Sequence, residues 1–300
     1  GLYLQTIRGE MHPLWGIVFV VVLVVYAITL SLMRRAYRRG AAAPAQRGGR
    51  EEPDDFPYWA KTLPPPARMF RELCAVEYNV CPSEGGDILM QRYPEDSRVN
   101  RITDHFTEAA RVDCRAGRMP TPREAWAALD PERRKNLLAV GAYAELREEV
   151  YSATRECNTF NPTFARWIVE QTSGPGSRVL DPSSGWGDRL IGALAAGAGC
   201  YHGFDPNPRL QAGYSRILET LRPAGAEAED FWVKELPFEE ARLEGEYDLA
   251  FTSPPYYAYE EYVAPGQPGE DAQSIGRYPD YATWVAKMYV PYLLNAYRHV

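Results

Sequence analysis

The sequence has little of what binds metals or staples small domains. Five cysteines (Cys74, Cys81, Cys114, Cys157 and Cys200) occur in 300 residues, an odd number at wide spacings with no CxxC pair. That argues against a zinc site and against a disulfide framework, and a reducing compartment is the simplest setting. The four histidines (His12, His105, His202 and His299) are scattered, with no HxxxH and no metal triad. No metal is therefore expected. The stretch "ITDHFTEAAR" groups Asp104, His105 and Glu108; these are expected to be solvated polar groups on a short helix rather than ligands. No internal repeat is visible. The body also lacks an excess of positive charge. The formal net charge of -7 conceals seven arginines against one acid in residues 1–50, which leaves 26 bases against 39 acids for the rest. Such a body is not a non-specific nucleic-acid coat, because phosphate binding needs a basic footprint.

One long apolar run is present. Leu14 to Met33, "LWGIVFVVVLVVYAITLSLM", carries no charge across 20 residues, about the thickness of a bilayer's hydrocarbon core at helical rise. Four arginines follow in "RRAYRR", and arginine-rich flanks face the cytoplasm. The expected order is an N-terminal segment (1–13), a transmembrane helix (14–33) and a basic, flexible linker (34–56) whose second half is small, polar and proline-containing. The body would then lie on the cytoplasmic side. Gly1 is not an initiator, and Met11 is a candidate start.

Residues 57–154 read as a helical accessory domain. Thr121, Pro122 and Glu124 form the pattern of a capping box with proline at the first helical position. Asp130-Pro131 opens a second helix in which Leu137, Leu138, Val140, Ala144, Leu146 and Val150 follow a helical period.

From residue 155 to 300 strands and helices alternate. "SRVLDPSSGWGDRL" begins with a short apolar strand ending at Asp181, then turns through Gly185 and Gly187 into a helix. "CYHGFDPNP" is a second strand with Asp205 at its carboxyl end; "DFWVKE" is a third and "YDLAFTSPPYY" a fourth. This rhythm predicts a doubly wound parallel α/β sheet, with ligands at the carboxyl ends of the strands. Glycines after the first strand let the backbone approach a ligand closely. Asp205 suits the two hydroxyls of a ribose. Gly185-Trp186-Gly187 lacks the third glycine of the dinucleotide fingerprint, so no pyrophosphate cradle is demanded. That favours a nucleoside cofactor such as S-adenosylmethionine over NAD. Trp186 reads equally as packing under this loop and as plain core. Lys234 and Glu235, past the third strand, are candidates for a position near the adenine.

The fourth strand ends in "SPPY". Proline cannot donate to a sheet ladder, so the strand must stop. Ser253-Pro254-Pro255-Tyr256 makes a rigid bend there. The Ser253 hydroxyl and the carbonyls flanking the prolines can accept hydrogen bonds from an amino group, and Tyr256 can stack on a planar ring. The long loop 258–280 that follows is acidic and rich in glycine and proline, and a loop of that length is often functional.

These motifs resemble the S-adenosylmethionine-dependent DNA amino-methyltransferases that modify N6 of adenine or N4 of cytosine. "DPSSGWGD" is similar to their cofactor loop, "SPPY" to their catalytic tetrad, and "FNPTFARWI" to the motif before the loop, where Phe160 would lie by the cofactor. More closely, the quoted segments resemble an uncharacterised methyltransferase-like protein of large eukaryotic DNA viruses. The resemblance covers 155–300 and implies a Rossmann-like class I methyltransferase fold. It implies catalytic roles for Ser253, Pro254, Pro255 and Tyr256, and cofactor contacts from Phe160, Asp181, Ser183, Gly185, Gly187 and Asp205. The implied cofactor is S-adenosylmethionine and the implied partner is nucleic acid, DNA ahead of RNA, with the body on the cytoplasmic or virion-interior side. The family's sheet has further strands beyond the fourth, so the chain is expected to be a C-terminally incomplete fragment. Methylation of RNA or of a protein amide stays open, as does a non-catalytic membrane or virion protein that uses the fold structurally.

Overall fold

The computed structural model describes residues 55–78, 80–82, 88–90, 98–222, 230–264 and 266–300. The expected membrane span 14–33 lies outside the described residues. Among the described residues no helix is long and apolar enough to cross a membrane.

The first part of the chain forms α1 (Pro66–Cys74), a two-stranded antiparallel pair β1 (Val80–Pro82) and β2 (Ile88–Met90), α2 (Asp104–Arg111), the two-residue β3 (Arg115–Ala116), α3 (Pro122–Ala128), α4 (Pro131–Ala139) and α5 (Tyr143–Ala153). Local chemistry sets several of these starts. At α3 the Glu124 N–H donates to the Thr121 hydroxyl (3.1 Å) and the Thr121 N–H donates to the Glu124 carboxylate (2.8 Å), which satisfies two end donors of the helix. At α4 Asp130 accepts from the Arg133 N–H at 2.8 Å. The helix expected to run on through Val150 instead breaks in two. Gly141 sits at φ +69°, a left-handed turn between α4 and α5. Val140 is consequently 78% exposed rather than turned inward.

Asp104, His105 and Glu108 depart from expectation. Asp104 and Glu108 are buried and His105 is half-buried. Asp104 pairs with Arg111 and with Arg101. Glu108 accepts from the backbone N–H groups of Trp59 (2.8 Å) and Ala60 (3.2 Å), and His105 donates Nε2–H to the Pro64 carbonyl. Burial of a charge is tolerated only with such partners, and these tie α2 to the turn before α1.

The second part alternates as expected: α6 (Pro162–Thr172), β4 (Arg178–Asp181), α7 (Asp188–Ala195), β5 (Cys200–Phe204), α8 (Gln211–Leu221), β6 (Phe231–Lys234) and β7 (Leu249–Ala250). The four longer-range strands form one parallel sheet in the order β6-β5-β4-β7. The chain then makes β8 (Glu260–Glu261), α9 (Ser274–Arg277) and α10 (Tyr281–Trp284), which passes through a π-helical turn (Val285–Tyr289) into α11 (Val290–Tyr297). The result is a mixed α/β fold with a four-stranded parallel sheet, an arrangement compatible with a Rossmann-like fold.

Alternation along the strands divides the sheet's two faces. Val179, Tyr201, Phe231 and Leu249 face a core shared with α6, α7 and α8. Leu180, Phe204 and Ala250 face a second core against Trp284, Met288, Tyr292 and Ala296 of the C-terminal helices. Both faces are covered, so the strands read as nearly continuous apolar runs. The segment 57–154 divides between cores. Met69, Phe70 and Leu73 of α1 and Phe106 and Ala110 of α2 join the sheet's first core. Ala125, Trp126, Leu146 and Val150 form a smaller cluster with Val112 and Phe56. Phe56, the last residue of the stretch expected to be a flexible linker, is fully buried there.

Candidate active site

The sheet order leaves a crevice at the carboxyl ends of its strands. Chain order radiates from β4: β5 and β6 lie on one side and β7 on the other. The loops leaving β4 and β7 therefore separate at this point, where ligands bind in open parallel sheets. A cleft with a cavity volume of about 140 Å³ lies there, about ten times what one water molecule needs.

The β4 loop supplies one wall. Ser183, Gly185 and Trp186 line the cleft. Gly185 adopts φ +56° and its N–H donates to Asp205 Oδ2 at 2.9 Å. Asp205, at the end of β5, also lines the cleft and accepts from the Asn207 N–H on Oδ1 at 3.0 Å. Each oxygen thus keeps acceptor capacity. Burial pushes the Asp205 carboxyl up to about 6, against the two backbone hydrogen bonds that pull it down. Phe160 also lines the cleft. It is held by Asn161-Pro162, where Asn161 caps α6 by accepting from the N–H groups of Thr163 (3.0 Å) and Phe164 (3.2 Å), and its ring meets Phe251 edge-on at 5.3 Å.

The β7 loop brings in the proline corner. Ser253, Pro255 and Tyr256 line the cleft. Burial raises the Tyr256 phenol, so it is neutral, and its side chain hydrogen-bonds with Ser253. Tyr257, next in the chain, holds φ +51°, a conformation that costs a non-glycine residue about 1–3 kcal/mol and recurs at functional sites. Its hydroxyl donates to the Pro279 carbonyl at 2.6 Å and its ring packs edge-on to Trp284. One tyrosine joins both loops to the C-terminal helix: the Tyr292 hydroxyl lies 2.9 Å from Ser183 Oγ and 3.0 Å from Thr252 Oγ1.

Not every expected residue reaches the cleft. Asp181 does not line it. Its fully buried carboxylate accepts from Arg189 Nε (2.8 Å), the Tyr201 hydroxyl and the Ser183 N–H (3.1 Å), so its acceptors serve the protein beneath the loop. Gly187 caps α7 at φ +95°, and a Cβ there would stand 2.7 Å from Ile217 Cδ1. It serves close packing against α8. Pro254 is buried behind the corner. Lys234 and Glu235 are exposed and away from the cleft. Trp186 belongs to the core, one of the two readings considered for it, and it also lines the cleft, which neither reading foresaw; its Nε1–H donates to the Asn158 carbonyl at 2.9 Å.

Other lining residues were not anticipated. Asn158, Asp188, Arg189, Glu260 and Tyr262 all face the cleft. Asp188 accepts from the Thr103 hydroxyl (2.7 Å) and the Phe160 N–H (3.2 Å), and burial pushes it up to about 6. Glu260 comes from the segment read as an acidic loop; there, β8 pairs antiparallel with β3. Asp188 and Arg189 were visible inside "GWGDRL", where they read only as the start of a helix. Three carboxyl groups (Asp188, Asp205 and Glu260) therefore face the cleft, whereas Arg189 is engaged by Asp181. Among the described residues no group of three or more His, Cys, Asp or Glu is placed to hold a metal ion.

Together these features define an α/β protein with an acidic, aromatic-walled cleft at the carboxyl edge of its parallel sheet. Comparison of the chain with protein-family models, with curated proteins and with solved structures finds no match.

Proposed function

We propose that this protein is a methyltransferase that uses S-adenosylmethionine to methylate an exocyclic amino group, that of a DNA base. The observation that carries this reading is that Gly185 and Asp205 line the same cleft as Ser253, Pro255 and Tyr256, although they come from separate loops of the chain. The residues present fit the cofactor. Asp205 has free acceptor capacity for a ribose diol, Gly185 permits close approach, and Phe160 and Trp186 offer apolar walls. The excess of carboxyl groups favours a cationic ligand over an anionic pyrophosphate.

When bound, S-adenosylmethionine supplies an electrophilic methyl on a sulfonium: its C–S bond breaks as the N–C bond forms, and the amine gives up one proton. The chain's own work is positioning. The Ser253 hydroxyl and the carbonyls of the proline corner accept hydrogen bonds from the amine, which aims its lone pair. Tyr256 stacks on the ring that bears it. The rigid corner holds both groups in place, and such positioning is worth several kcal/mol of barrier. A base in duplex DNA must leave the stack to reach Tyr256, and the acidic surroundings keep phosphate at a distance.

The test joins calorimetry with transfer of a tritiated methyl to DNA, RNA and protein, each assayed separately. Wild type is expected to bind S-adenosylmethionine and to label DNA. Ser253→Ala and Tyr256→Ala are expected to spare cofactor binding. Loss of stacking of about 1–3 kcal/mol lowers kcat/KM of Tyr256→Ala roughly 5- to 150-fold. Transfer at wild-type kcat/KM in both variants would remove the proline corner from the mechanism, and label appearing only in RNA or protein would change the substrate.

A further inference from the structure

The β8 strand holds a carboxylate that the proline corner itself lacks. Its two residues point opposite ways, as alternation requires. Glu261 faces outward toward Arg115, with Oε2 3.7 Å from Nε. Glu260 faces inward, is 2% exposed and lines the cleft with Ser253, Pro255 and Tyr256. The backbone that carries it is fixed on both sides. Ala116 pairs with Glu260, the Gly117 N–H donates to the Tyr259 carbonyl at 2.7 Å, and the Tyr259 N–H donates to the Tyr256 carbonyl at 3.1 Å. The strand is thereby linked directly to the corner.

Glu260 is, with Glu108, Asp188 and Asp205, a buried acid held by neutral donors. Asp104 has Arg111 and Asp181 has Arg189, but no described ion pair includes Glu260. It accepts from the Asn158 N–H at 2.9 Å and hydrogen-bonds with Tyr262 and with the Asn158 side chain. Buried charge without a cation is costly, and such sites are candidates for function. Ser253, by contrast, has a hydroxyl that can accept a hydrogen bond but not hold a proton near neutral pH.

Resting on the methyltransferase reading, we infer that Glu260 is the group that accepts a hydrogen bond from the target amine and takes its proton. The amine presents two N–H donors. Ser253 and the corner carbonyls take one, and the Glu260 carboxylate takes the other. As the N–C bond forms, nitrogen becomes positive. One N–H bond then breaks, its electron pair stays on nitrogen, and the proton passes to the carboxylate, which becomes a neutral acid and returns the proton to water. Burial already raises this carboxyl against the hydrogen bonds from Asn158 and Tyr262, in the direction a general base requires. Carboxylates likewise accept from the exocyclic amine of bases in groove recognition. The substrate class that follows is a neutral, planar heteroaromatic amine; a secondary amine with one N–H meets only one of the two acceptors.

The test uses the full chain with S-adenosylmethionine bearing a tritiated methyl and a pool of single-stranded oligodeoxynucleotides containing all four bases. Glu260→Gln keeps shape and loses the proton acceptor. Its kcat is expected to fall about 10²- to 10⁴-fold, while KM and Kd for S-adenosylmethionine stay within about threefold of wild type. Glu260→Asp is expected to recover part of the loss, and Glu261→Gln to match wild type. If Glu260→Gln transfers methyl within threefold of wild type, the inference fails alone. If it loses cofactor binding as well, or does not fold while Glu260→Asp is as inactive as a blank, Glu260 is structural and the inference again fails. A wild type that binds no S-adenosylmethionine overturns the methyltransferase reading, and this inference with it; one that binds it but labels no oligonucleotide overturns the DNA-base substrate, and this inference with it.

Discussion

Replacing Asp181 with Asn separates a scaffolding role from a ligand contact. The carboxylate is fully buried and receives Arg189 Nε at 2.8 Å, the Tyr201 hydroxyl and the Ser183 N–H at 3.1 Å. Asparagine keeps one oxygen for Ser183, but its amide presents donors to Arg189 and Tyr201, which are themselves donors. Arg189 is 5% exposed and would be left as a buried, unpaired cation. Breaking such a pair costs about 3–5 kcal/mol. Tyr201 belongs to the same network, so its loss is not added. For a fold of this size each kcal/mol lowers the melting midpoint by about 2–4 °C, which gives a fall of roughly 6–20 °C. The assay is thermal unfolding followed by circular dichroism, with S-adenosylmethionine affinity measured by calorimetry at a temperature where the variant is folded. The expected outcome is a large drop in the midpoint with cofactor Kd changed less than about threefold. Asp205→Asn, which removes a carboxylate that does line the cleft, should show the reverse balance. An Asp181→Asn protein that melts with wild type yet binds the cofactor poorly would refute the placement beneath the loop.

Two further predictions concern stability. Gly187→Ala combines a left-handed φ of +95° with a Cβ 2.7 Å from Ile217 Cδ1, and the strain (about 1–2 kcal/mol) and overpacking (about 1–3) together cost roughly 2–5 kcal/mol in urea unfolding. Gly185→Ala, where a Cβ would meet nothing nearer than 3.9 Å, should cost only the strain, and equal losses would contradict the packing role of Gly187. Asp188 has its carboxyl raised from 3.8 to about 6 by burial, so between these values the native state holds a proton that the unfolded chain has released. Its contribution is therefore fully favourable below pH 4 and is lost as pH rises through 6, by about 3 kcal/mol in total. Asp188→Asn should flatten the stability curve between pH 4 and 6 by that amount; a curve parallel to wild type would argue against the shift.

Sequence alone determined what depends on neighbours along the chain. Thr121 with Glu124, and Asp130 with Pro131, announce helix starts because a cap needs only a side chain two or three residues away. The apolar runs ending at Asp181 and before Ser253 mark parallel strands, because a strand covered on both faces must be apolar throughout. The positions of Gly185, Asp205 and Tyr256 at strand ends follow from the same pattern, and these residues do share one cleft. Tertiary structure decided which way each charge turned. Asp181 and Asp205 look alike in sequence, each an acid closing a strand before proline. Arg189 and Tyr201 claim the first, whereas backbone N–H groups hold the second and leave it facing the cleft. Lys234 and Glu235 point to solvent because the cleft lies between the loops of β4, β5 and β7, not beyond β6. Glu260 reads as one more acid in an acidic loop, and only the pairing of β8 with a strand far upstream, β3, turns it inward. Burial and partner choice are set by contacts between segments remote in sequence, so no local pattern records them.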